Sequence, residues 1–219
     1  MYFSAICSII ISKYNSERLY CKGVFMHISD GGLSTTVCAL TYAATAVSIA
    51  LAAKGTKEED IPKISLMAGT FFAISLIMIP IPPSSVHPLM CGLIGIIAGF
   101  KAPLAFFPAL LLQALLFQHG GITTLGANTL MLSISSYISF FIFQKWKTKN
   151  IFLKGAVIGG LSVIFVVAVL SGLLLTGGKF AKETFIALFI SHSVIMLVEA
   201  VLTGFAVRLI LKAKPEWFK

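Results

Sequence analysis

The sequence predicts an all-α, polytopic membrane protein, and three observations carry that prediction. Of the 219 residues, 58% are hydrophobic and 11% charged, where an ordinary soluble domain carries roughly 25% charged residues. Mean hydropathy is +0.96. Apolar runs of about 20 residues, the length that crosses a ~30 Å hydrocarbon core, recur along the chain. The basic residues fall between those runs, so the net charge of +9 reads as membrane topology rather than as a nucleic-acid-binding surface.

Seven apolar segments follow in order: Leu33–Ala53, Ile64–Ile81, Pro88–Phe100, Pro103–Phe117, Thr123–Phe143, Ile151–Thr176 and Thr184–Leu211. The first carries alanines at four-residue spacing, Ala39/Ala43 and Ala46/Ala50, a ridge that lets helices approach closely, within the bundle or against a partner subunit; packing inside the bundle is the default expectation for it. Lys54–Lys63 is a polar loop. The second segment runs into a proline-rich stretch, Pro80 to Pro88, through which no helix can pass. The third and fourth are separated because Gly99-Phe100-Lys101-Ala102-Pro103 reads as a tight turn, with Gly and Pro breaking the helix and Lys seeking water. At about 13 residues the third is short for a full crossing. A polar, glycine-rich connection, Gln118 to Gly121, precedes the fifth. Gly95/Gly99 and Gly155/Gly159 repeat the small-residue spacing. No internal repeat and no separate soluble domain are visible.

Twelve Lys and Arg fall in the 53/64, 100/103 and 143/151 connections and the C-terminal end, against Lys179 and Lys182 alone in the opposite loops after residue 26. That asymmetry puts the segment before the first helix outside and the C-terminus in the cytoplasm. Lys13, Arg18 and Lys22 would be stranded outside if residues 1–25 stayed attached. These 25 residues have no basic n-region and no small-x-small cleavage site. We expect the functional chain to begin at Met26, residues 1–25 being a mis-assigned start or a leader, and residues 26–219 to form one transmembrane helical domain.

A free amine at Met26 would change the chemistry of Met26-His27-Ile28-Ser29-Asp30-Gly31. The amine, the His27 amide nitrogen and the imidazole Nδ1 could then close a five- and a six-membered chelate ring on one metal. Three nitrogens near one plane suit Ni(II), Cu(II) or a low-spin cobalt ion. His87, held in a loop stiffened by prolines on the same side of the membrane, is the candidate fourth donor, with Ser85 two residues before it. Asn128, His192 and Glu199 are polar residues inside apolar segments and so candidates for supporting the ligands or for interhelical bonding. His192 and Glu199, seven apart, share a helix face. His119 reads as solvated. Cys7, Cys21, Cys38 and Cys91 make no C-x-x-C pattern and predict neither disulfides nor zinc. Lys179 follows Gly177-Gly178, but the P-loop spacing fails and Phe180 stands where Ser or Thr is needed. With no HExxH or G-x-S-x-G either, the chain is expected to be a non-catalytic subunit.

Taken together, Met26-His27-Ile28-x-Asp30-Gly31, the proline loop ending in His87, and Gln113-Ala114-Leu115-Leu116-Phe117 leading into Gly120-Gly121-Ile122-Thr123-Thr124-Leu125-Gly126-Ala127-Asn128 resemble a known family. With His192, Glu199, Thr203 and Lys214-Pro215-Glu216, they match the substrate-specificity (M) subunits of cobalt and nickel energy-coupling-factor transporters, the CbiM/NikM group. The resemblance implies a seven-helix bundle whose N-terminus tucks into its centre. It implies transported Co(II) or Ni(II), with no prosthetic group, bound by Met26, His27 and His87. The implied partners are a transmembrane coupling (T) subunit, a pair of ABC-type ATPases and a small accessory membrane subunit, in the cell membrane and without nucleic acid. Met131 stands where the family often has a second Asn, and Ala200 where Gly often follows Glu. Two rival readings are a subunit of a vitamin-type importer, which would need no free Met26 amine, and an intramembrane enzyme or structural subunit resting on His192 and Glu199.

Overall fold

The computed structural model describes residues 27–81, 84–176 and 182–218, with backbone alone at 80–81, 84–85, 182–187 and 190–191. Residues 1–26, and with them Met26 and the expected leader, lie outside the described residues, as do Lys179 and Phe180. The described residues form α1 (Thr35–Lys54), α2 (Ile61–Ser75), a two-stranded hairpin of β1 (Ile79–Ile81) and β2 (Ser84–Val86), α3 (Cys91–Ala98), α4 (Ala102–Phe117), α5 (Leu125–Lys145), α6 (Ile151–Thr176) and α7 (Lys182–Ala213).

Local signals account for the helix ends. Ser34 caps α1, its Oγ accepting from the Val37 amide at 3.4 Å. Asn150 caps α6 by accepting from the Leu153 amide at 3.0 Å. Pro62 and Pro103 sit in the first turns of α2 and α4, where no amide donor is needed. The proline-rich stretch is a hairpin rather than an irregular loop: Ile79 pairs with Val86, Pro80 with Ser85 and Ile81 with Ser84.

Among the described residues five stretches are long and apolar enough to cross a membrane, of which Cys91–Phe117 is one. That stretch is not a straight rod. His87, just before α3, and His119, just after α4, have ring centroids 6.2 Å apart. The chain therefore reverses at the expected turn, where Gly99 has φ +55°. A Cβ there would press on the Phe140 ring at 3.2 Å.

The interior is largely apolar but carries many hydroxyls and amides, and the outer surface is apolar. Thr45, Gln113, Thr129, Ser133, Ser135, Ser136, Ser162 and Glu199 are buried, while Leu40, Leu51, Leu197, Val201, Phe205 and Leu209 are exposed. Lipid solvates apolar side chains as well as a core does, so helices associate through close packing and hydrogen bonds. Thr45 donates to the Gly126 carbonyl, Ser135 to that of Ser162 and Ser136 to that of Cys91, each at 2.7–2.8 Å. Glycines set the approach of α3, α5, α6 and α7. A Cβ on Gly95 would lie 2.3 Å from the Ser136 carbonyl oxygen, and one on Gly159 would lie 2.5 Å from that of Glu199. The α1 alanines behave otherwise. Ala39, Ala43, Ala46 and Ala50 are exposed, and the face turned inward is Thr41, Thr45 and Ala52. The expected internal ridge points away from the bundle because α1 uses its hydroxyls, not its alanines, to meet α5.

Asp60 ties together the end of the bundle remote from the histidines. Its carboxylate accepts from the Lys57 amide at 3.0 Å and pairs with Lys63 at 2.7 Å and with Lys101. Burial pushes its carboxyl up, but the bonds from Lys101 and Lys63 outweigh this and hold it below the usual carboxylate range. At the same end Lys154 lies over the Phe143 ring and Phe143 meets Phe218 of the C-terminal turn. The connections that carry most of the basic residues thus share one end. Cys38 and Cys91 are free thiols.

Replacing Gly95 by Ala is expected to lower stability by about 1–3 kcal/mol, since backbone, not a yielding side chain, blocks the new methyl. Gly69→Ala, with nothing within 4 Å of the added carbon, is the matched control and should be neutral or stabilising by up to about 1 kcal/mol. Thermal unfolding of the two variants in detergent checks the difference.

Candidate metal centre

The segment that enters the bundle ahead of α1 is held by its backbone. Ile28 donates its amide to Asn128 Oδ1 at 2.8 Å, and its carbonyl accepts from Asn128 Nδ2 at 2.9 Å and from Thr124 Oγ1 at 2.5 Å. The side-chain amide thus does what a neighbouring strand would do. Two residues on, Asp30 Oδ1 accepts from the amide and hydroxyl of Thr123 at 2.9 and 2.5 Å. Chiefly the Thr123 hydroxyl keeps the Asp30 carboxyl below its ordinary range. Room for the segment comes from Gly120 and Gly121. A Cβ on Gly121 would lie 2.2 Å from Asp30 Oδ1, and one on Gly120 would lie 3.3 Å from the His27 Cβ.

This seating buries His27 to 4% exposure. Neither of its ring nitrogens has a hydrogen-bond partner among the described residues. A buried polar group left without a partner costs about 1–3 kcal/mol. The ring of His87, 3% exposed, lies 5.2 Å from it between centroids, with Phe71 packed edge-on at 6.4 Å. His87 Nδ1 donates to the Pro88 carbonyl at 2.9 Å, which fixes the tautomer whose lone pair is on Nε2.

Burial first, and then the neighbouring His87, His119 and His192 rings, push His27 well below its ordinary value. His87 is pushed down to about 4, by burial and to a lesser degree by His119, against the opposing bond to Pro88. Both rings are neutral at pH 7, the form in which imidazole binds a metal. All four histidines of the chain therefore converge on one end of the bundle.

The expected supporting residues divide. Asn128 grips Ile28, as above. Glu199, fully buried, accepts with Oε1 from the amides of Leu89 and Met90, the latter at 2.6 Å. It clamps the backbone just after His87 at the N-terminus of α3, where a negative charge is favoured. Met90 adopts the left-handed φ of +55° within this clamp. His192 instead donates from Nδ1 to the Leu188 carbonyl at 2.7 Å. The two are not a hydrogen-bonded pair: each bonds elsewhere. The Ser85 side chain and Met26 lie outside the described residues.

His119 is a correction. It is half-buried rather than solvated, 6.2 Å from His87 with the rings 23° apart. Gln113, fully buried with neither amide atom partnered among the described residues, was not singled out as a site residue. No three His, Cys, Asp or Glu side chains among the described residues are placed to hold one metal by themselves.

The family described as "Cobalt uptake substrate-specific transmembrane region", CbiM, matches residues 27–217. The cobalt transport protein CbiM of Geobacter sulfurreducens is 32% identical over 176 residues, covering 75% of this chain and 51% of that protein. The chain thus spans about half the length of that relative. CbiM of Clostridium tetani is 35% identical over 157 residues, covering 66% of this chain and 65% of that protein. A crystal structure of a truncated transition metal transporter aligns with a TM-score of 0.73 at 27% identity, over 85% of this chain and 99% of that one.

Asn128→Ala removes two of the three hydrogen bonds that dock Ile28 and should weaken metal binding about 10–100-fold while leaving the helices intact. Equilibrium titration with Ni(II) or Co(II) in detergent, alongside circular dichroism, reads both quantities. Unchanged affinity would mean that the docked segment does not belong to the metal site.

Proposed function

This chain belongs to the CbiM family of cobalt-uptake substrate-specific transmembrane regions, and from that premise we propose that it captures cobalt or nickel ions for import. The protein is a multi-pass membrane protein. The observation that carries the proposal is the His27 imidazole, buried beside His87 with neither nitrogen partnered among the described residues. The donors are the Met26 amine, the amide and Nδ1 of His27, and Nε2 of His87. Asn128 holds the first three in place and Glu199 holds the fourth through the backbone of residues 89–90. Seven helices form the transmembrane unit, with the histidine end outside and the basic end, where Asp60 and the C-terminal turn lie, in the cytoplasm.

The chain works with a transmembrane coupling subunit and a pair of ATPases, and with a small accessory membrane subunit. The metal is released inward when the partners hydrolyse ATP. Because no P-loop is present in the sequence, energy comes from those partners. The metal is cargo, not a resident cofactor, so binding has to be reversible. A site closed by a chain terminus and a loop suits that need.

The functional chain begins at Met26, which N-terminal sequencing of active protein tests. Adding one residue ahead of Met26, or acetylating its amine, replaces a basic donor with a poor one. It should abolish high-affinity binding with the helices intact, and full-strength binding would overturn the chelate.

His27→Ala and His87→Ala should each abolish high-affinity binding as well. Affinity should fall by at least about tenfold for each pH unit below the amine pKa of about 7.7–8.0, as protons displace the metal. The sign follows from a donor that must be deprotonated. His87, neutral down to about pH 4, adds little to that loss between pH 7 and 5. A loss of affinity that set in only near pH 4 would assign the dependence to the His87 imidazole instead.

A further inference from the structure

We propose that His119 and His87 form an entry station that takes a hydrated divalent transition-metal ion from outside and passes it to His27. This inference rests on the metal-capture reading above and adds a second, transient site to it. With metal–nitrogen bonds of about 2.0–2.1 Å, two imidazoles on one ion have ring centroids roughly 4.5 Å apart when cis and roughly 6.3 Å apart when trans. His27 and His87 stand 5.2 Å apart and His87 and His119 stand 6.2 Å apart, both within that span. Yet the three side chains are not placed to close on one ion together. His87 can therefore share a metal with either neighbour in turn, not with both at once.

Exposure gives the sequence a direction. His119 is half-buried, whereas His87 and His27 are 3% and 4% exposed. An arriving ion meets His119 first. Its ring is held there by backbone: Gln118 takes the left-handed φ of +54°, Gly120 takes +75°, and the His119 amide donates to the Gln113 carbonyl at 3.2 Å. The station also lies at the C-terminal end of α4, whose outward carbonyls favour a cation, with the Asp30 carboxylate on the neighbouring segment.

The transfer is a ligand exchange in which no electrons move. The ion loses water to His119 and to Nε2 of His87. His119 then leaves as the His27 imidazole enters, and Nε2 of His87 stays bound throughout. A residue that acts only on the way in alters rates in both directions and leaves the equilibrium alone.

Stopped-flow mixing of the purified full chain with Co(II) or Ni(II), paired with equilibrium titration, tests this. In His119→Ala, association and dissociation should both slow by about tenfold or more, with the equilibrium midpoint unchanged. Unchanged rates would overturn the proposal. So would a weakened midpoint with faster dissociation, which would make His119 a ligand of the resting site. His119→Gln, closer in size, repeats the measurement should the alanine variant misfold. His27→Ala and His87→Ala run alongside: wild-type binding in both would end the capture reading itself. Loss of binding in both with normal rates in His119→Ala would end only the relay.

Discussion

The pairing of the Asn128 amide with the backbone of Ile28 is the interaction on which the histidine end depends. A chain segment pushed into an apolar bundle brings unpaired amide and carbonyl groups with it. Each is expensive away from water. Asn128 satisfies one donor and one acceptor of Ile28 at once, and Thr124 satisfies the carbonyl's second lone pair. With the backbone so matched, the His27 ring can be carried into the interior and held beside His87. Glu199 solves the same problem for residues 89–90.

These two clamps fit a wider arrangement in which hydrogen bonds, not apolar burial, fix the relative positions of the helices. Ser and Thr hydroxyls on α1 and α5 bond to carbonyls of α5, α6 and α3. Glycines on α3 and α6 bring the backbones close enough for this. At the far end Asp60 joins the α1–α2 loop to the α3–α4 turn through Lys63 and Lys101. The two ends differ in kind. One gathers the histidine rings beside a clamped backbone segment, and the other joins a carboxylate to two lysines.

Much of this was legible in the residues. Apolar length marked the helices, and Gly99, Lys101 and Pro103 marked the reversal between α3 and α4, because each resists a buried helix for its own reason. What remained hidden depended on direction or on distance along the chain. Four-residue spacing shows that the α1 alanines share a face, but not that the face looks outward. The strand Ile79–Ile81 is too short for alternation to register. His119, set among Gln and Gly, looks like a solvent loop until the fold lays it on His87. The amides that Glu199 accepts lie 109 and 110 residues away, so nothing near it in sequence names its partners.

The Asn128–Ile28 bonds also join residues 100 apart in the chain, and this bears on the order of assembly. The segment carrying His27 is made before α5, yet its seat consists of Thr123, Thr124 and Asn128. Until α5 is in place, that segment has nowhere to dock and its polar backbone belongs in water. Closure over the seat is therefore a late event in maturation, separated from helix insertion by a long loop closure. In the nascent chain α1 is thus made well before the His27 segment ahead of it has a seat.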